Sequence, residues 1–155
     1  MIYQDPVTQS LTTREEAVLN CLRIAFARPL AEVVSGHPGS IEVQLTARFA
    51  DLLARLRRVD PFVIRVGPLG VAPTVFELQL VHLVNLVRFQ DHVGSNTIVR
   101  WLFPEDEIPA ATQTVAMLGH LASQLIEERE QESAACLMLR ERLATLIDRR
   151  ARYLR

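Results

Sequence analysis

The chain contains no lysine: all 17 of its basic residues are arginine. A bias that runs through the whole sequence points to codon usage in a GC-rich, bacterial genome. The same fork-shaped guanidinium groups also serve as bidentate anchors at interfaces. Charge of one sign is lacking too, because the formal net charge is -1. Neither a polybasic nucleic-acid binder nor an acidic tail protein is indicated by the total. Cysteine is scarce, with only Cys21 and Cys136. Both lie in apolar periodic segments, which predicts two buried free thiols, and no Cys-x-x-Cys pair exists.

Long apolar runs are missing as well. The longest apolar segment, Val75 to Phe89, is interrupted by Glu77, Gln79, His82, Asn85 and Arg88, so it is too polar and too short to span a membrane. Met1 to Ser10 has no positive region leading into an apolar run, so no secretory signal is expected and a cytoplasmic location follows. The catalytic signatures are equally absent. There is no Walker loop, no Gly-x-Gly-x-x-Gly, no Gly-x-Ser-x-Gly, no His-Glu-x-x-His and no Cys/His spacing suited to zinc. The expectation is a protein that is not an enzyme and uses no cofactor.

What is present is a globular composition. Apolar residues make up 49% and charged residues 23% of 155, which suits one domain with a core and excludes general disorder. Residues 1 to 10 read as a flexible arm. Thr12 and Thr13 are followed three positions later by Glu15 and Glu16, the capping-box pattern, and Val18, Leu22, Ala25 and Phe26 then recur at helical spacing. Pro29 breaks that helix, and Leu30 to Val34 suits a short one ending at Gly36. His37, Pro38 and Gly39 read as a turn. Ser40 opens a strongly amphipathic helix with Ile41, Leu45, Phe49, Leu52, Leu53 and Leu56 on one stripe, closed by Pro61.

Phe62 to Ala72 is β-branched and then Gly/Pro-punctuated, which fits either a small β-hairpin or a plain loop. Thr74 and Glu77 form another capping box. The helix after it, Val75 to about Gln90, is apolar on almost every side and is expected at the centre of the fold. Gly94 and Ser95 read as a break, with a short helix from Thr97 to Phe103 stopped by Pro104. The acids Glu105, Asp106 and Glu107 read as a solvated loop.

Pro109 suits the first turn of a last helical region, 108 to 155. Val115, Leu118, Leu121, Leu125 and Ile126 lead into a polar block, and Cys136, Leu139, Leu143, Leu146 and Tyr153 resume the stripe. One helix of ~65 Å and two helices broken near Ser133 both fit that pattern. Residues 127 to 132 hold four Glu against one Arg, net -3, and residues 140 to 155 hold six Arg against Glu141 and Asp148, net +4. Opposite blocks on helical segments suit antiparallel pairing within a chain or between two.

The fold expected is therefore all-α, a compact bundle of five to six helices forming a single domain over 1–155, with or without the hairpin at 62–72. The function expected is a non-enzymatic interaction module: a small regulator, adaptor or assembly factor that binds protein, itself included, as a homodimer. The candidate interaction residues are Leu139, Arg142, Leu143, Leu146, Arg149, Arg150 and Tyr153. Two alternatives stay open. His82, Asn85 and His92 follow one face of the apolar helix at 75–90 and could line a pocket, although ten residues rise ~15 Å and exclude a metal shared by the two histidines. Asp91-His92 is no catalytic pair, because adjacent helical residues point apart.

The other alternative is DNA binding. Leu11-Thr12-Thr13-Arg14-Glu15, the segment Leu52 to Arg58, and Phe62 to Ala72 in the place of a wing resemble the winged-helix DNA-binding domain of response regulators. The resemblance implies that the helix Ile41 to Arg58 enters the major groove, with Arg48, Arg55, Arg57, Arg58 and Arg65 on phosphates and the C-terminal helices dimerising. The chain departs from that family in its short Leu11 to Gly36 region, in Glu42 and Asp51 on the recognition helix, and in a wing with one cation, Arg65.

Overall fold

A computed structural model of the chain describes residues 11–28 and 39–154. The expected arm at 1–10, the short helix at 30–34 and the turn at His37 lie outside the described residues. Among those described, the regular secondary structure is all helical: α1 (Thr13–Ala27), α2 (Ile41–Val59), α3 (Val75–Arg88), α4 (His92–Leu102) and α5 (Ile108–Tyr153). They fall into two units, the first ending at Leu125 and the second beginning at Ile126.

The helix ends follow their local chemistry. Thr12 caps α1 by accepting from the Glu15 amide at 3.3 Å. Arg28 is extended and closes α1 ahead of Pro29, since a residue before proline avoids the helical region. Phe103 does the same for α4 ahead of Pro104. The Thr74–Glu77 capping box of α3 is fully formed. At its other end, α3 stops in a Schellman motif. The Asp91 amide donates to the Leu86 carbonyl at 2.8 Å and the Gln90 amide to Val87 at 3.1 Å. Gln90 takes the left-handed conformation this requires, with φ 59°. Asp91 then caps α4 by accepting from the Gly94 amide at 2.9 Å. The expected break at Gly94 and Ser95 is therefore absent: the helix starts at His92 and both residues lie inside its first turn.

Leu22, Leu45, Phe49, Leu53, Leu80, Leu83 and Leu118, drawn from α1, α2, α3 and α5, are essentially inaccessible and form the core of the first unit. The central position expected of the apolar helix holds for α3, whose exposed residues are confined to one stripe, Val75, Gln79 and His82. Where α5 meets α3, Gly119 is the contact. A Cβ there would sit 2.4 Å from Val87 Cγ1, so only glycine lets the two helices come this close. Thr114 of α5 donates to Asp51 of α2 at 3.1 Å.

Residues 60–73 contain no strand, so neither the hairpin nor the wing forms. The reason is where their backbone groups go. The Gly67 amide donates to Glu77, and the Val71 and Ala72 carbonyls accept from Arg23. The Arg65 carbonyl accepts from the Thr74 hydroxyl. Side chains supply the partners that a second strand would have supplied.

α5 is one helix of 46 residues, which settles the choice between one helix and two. It runs through Ser133 without interruption because the block Glu127 to Glu132 is made of strong helix formers.

Candidate functional site

The feature that sequence reasoning missed is a buried ion pair between α1 and α3. Arg23 and Glu77 are 3% and 0% exposed. The contact is bidentate, with Arg23 Nε to Glu77 Oε1 at 2.8 Å and Nη2 to Oε2 at 2.9 Å. The carboxylate also accepts from the Gly67 amide at 3.0 Å and the Thr74 amide at 2.7 Å. Arg23 Nη1 reaches the Val71 carbonyl at 2.9 Å and Nη2 the Ala72 carbonyl at 3.3 Å. Burial by itself pushes the Glu77 carboxyl up. The Arg23 hydrogen bonds, the Thr74 and Gly67 amides and the Arg23 charge outweigh it and hold the carboxyl below its ordinary range. The same hydrogen bonding raises the Arg23 guanidinium against the opposing effect of burial. This arrangement straps residues 65–74 onto two helices. It leaves no lone pair aimed at solvent, so its role is structural. A basic residue among Leu19, Leu22 and Ala25, and an acid in an otherwise apolar helix, were the available signals.

The pocket candidates do not share one helix face. His82 is exposed on α3. The Asn85 side chain is taken up at both ends, donating to Glu15 at 3.4 Å and accepting from Arg88 at 3.0 Å. α3 ends at Arg88, so His92 belongs to the next helix and does not extend the face that carries His82 and Asn85. Among the described residues no group of three or more His, Cys, Asp or Glu is placed to hold a metal ion.

Of the five arginines considered for DNA contact, Arg55 is half-buried and engaged, 3.2 Å from Glu107 and 3.6 Å from Asp51. Arg57 stacks over the Phe26 ring at 5.4 Å. Arg48, Arg58 and Arg65 are exposed. Glu107, expected in a solvated loop, is thus the acid that ties the start of α5 to α2.

The candidate interaction residues are all exposed on α5. Every residue from Glu127 to Leu154 is exposed. Leu139, Leu143 and Leu146 are 58%, 57% and 60% accessible, and Tyr153 is 89%. Cys136 is exposed while Cys21 is buried, which corrects the expectation of two buried thiols. Cys136 lies within residues 127–154, every one of which is exposed. In the first unit, Val93, Thr97 and Trp101 form a smaller exposed ridge at four-residue intervals on α4.

Compared with protein-family models, curated proteins and solved structures, the chain matches none. Among the described residues no helix is long and apolar enough to cross a membrane.

Proposed function

We propose that the chain is a non-enzymatic interaction module, a small regulator, adaptor or assembly factor that binds protein and associates with itself through α5 beyond Leu125. One observation carries this reading. Leucines at three- and four-residue spacing stand more than half exposed along residues 127–154 of α5, where every side chain is exposed. A stripe of that regularity on water is the seam of a helix pair lacking its partner. Arg142 and Arg149 flank the stripe, and Arg150 and Tyr153 continue it, residue types that anchor interfaces. The two cysteines form no disulfide and one of them is exposed, which suits a reducing compartment and supports a cytoplasmic protein. The arginine-only basic set supports a bacterial source.

The test is light scattering on the full chain and on a chain ending at Glu132. The full chain is expected to be a dimer and the shortened one a monomer. Two monomers at high concentration would overturn the proposal. Binding to random duplex DNA that falls steeply with salt would turn the reading toward phosphate contact instead.

A further inference from the structure

Resting on that self-association, we infer that the second copy docks antiparallel in one register. Leu139 of one copy lies against Leu143 of the other, Cys136 against Leu146, and Glu132 against Arg150. The three-and-four spacing of α5 places Glu132, Cys136, Leu139, Leu143, Leu146 and Arg150 on one face, all of them exposed. Between Glu132 and Arg150 the stripe is therefore apolar in its middle and charged at its two ends, with opposite signs. A parallel pair sets each residue opposite its own copy, so Glu132 would meet Glu132 and Arg150 would meet Arg150 on the seam. An antiparallel pair joins first-type to fourth-type positions of the seven-residue repeat. It turns the same two residues into ion pairs, one at each end of the leucine layers.

The register is equally constrained. Sliding one copy by seven residues in one direction sets Glu132 against Leu143. Sliding it in the other sets Arg150 against Leu139. Either slip desolvates a charge against a leucine without a partner. The register with Leu139 on Leu143 is the one that pairs both. It brings Arg140 and Arg142 toward their own counterparts near the two-fold axis. Those side chains flank the seam, where long stems carry their heads into solvent and salt screens the repulsion.

Two variants of the full chain test the register. Leu146→Cys, oxidised and run on a non-reducing gel, is expected to form a dimer cross-linked to Cys136. The unaltered chain is not, because its two Cys136 residues are offset by ~15 Å along the axis. Glu132→Arg and Arg150→Glu are each expected to weaken dimerisation roughly tenfold, and the double variant to restore it. In a parallel pair neither swap changes the sign of any seam contact. A Cys136–Cys136 cross-link in the unaltered chain, or swaps without effect on a dimer, overturns the register and leaves self-association standing. A full chain that stays monomeric overturns both. A monomer retained on vesicles of anionic lipid would make the arginine-flanked face a lipid-binding one instead.

Discussion

Arg23 and Glu77 lie 54 positions apart in the chain and are nearly inaccessible in the fold. Removing one partner of such a pair strands the other charge in a low dielectric, which costs about 3–5 kcal/mol. Glu77→Gln is expected near that range, measured as the loss in the urea midpoint multiplied by the unfolding slope. The same residue sets a pH dependence. Its carboxyl is held below its ordinary range in the folded chain. The stability it contributes is then fully present above the unfolded value of about 4.3 and is lost as pH falls through the folded one. Urea titrations from neutral pH down to acid should show this loss, and Glu77→Gln should show less of it. At Gln90 the sign is reversed. A non-glycine residue at φ 59° costs about 1 kcal/mol relative to glycine. Gln90→Gly is therefore expected to raise Tm by about 2–4 °C in a thermal melt.

At the scale of elements, α3 and α5 meet at a glycine. Gly119→Ala would place a methyl 2.4 Å from Val87 Cγ1 and 2.9 Å from Val87 Cβ. A β-branched side chain in a helix has little freedom to turn away. The expected cost is about 1–3 kcal/mol, reduced by alanine's better helix propensity. Adding Val87→Ala should recover part of it, as read by chemical denaturation of the single and double variants. What the sequence made legible at this scale was whatever one or two neighbouring residues decide. Pro29, Pro61 and Pro104 marked helix ends because proline acts on the residue before it. Thr74 and Glu77 marked a start because both halves of the cap are local. Gln90 hid an end because the Schellman turn was filled by a residue that does not advertise it. Gly94 suggested a break because the cap at Asp91, which uses its amide, was read only as half of an Asp-His pair. The loop at 60–73 could not be told from a hairpin because its partners come from α1 and α3. For the candidate site, the exposed stripe of α5 was readable as a period, but its exposure was not. The same three-and-four spacing is buried at Val115 and Leu118 and open at Leu139 and Leu143.

For the whole molecule, two regimes of protection follow from burial. Residues 111–126 of α5 include Ala111, Val115, Leu118, Ala122 and Leu125, all nearly inaccessible. Residues 127–154 include no buried side chain. A helix without tertiary cover is marginal in water even when its propensity is good. Amide hydrogen exchange is expected to be slow in the first stretch at any concentration. In the second, the proposed self-association predicts exchange that is fast in dilute protein and slows as concentration rises, because pairing would cover it. Protection that ignores concentration would count against pairing through this helix.

The strap at 65–74 has a consequence on the time scale of descent. A chain that loses Arg23 alone, or Glu77 alone, is worse off than one that never had either, because hydrophobic replacements of both can be close to neutral. No single substitution leads gently from one state to the other. Across diverging lineages the two positions should therefore change together or stay together. Position 67, which gives the same carboxylate only a backbone amide and has room for a Cβ, should be free to vary in side chain, whereas position 74 should keep a hydroxyl, because it also caps α3 and donates to the Arg65 carbonyl.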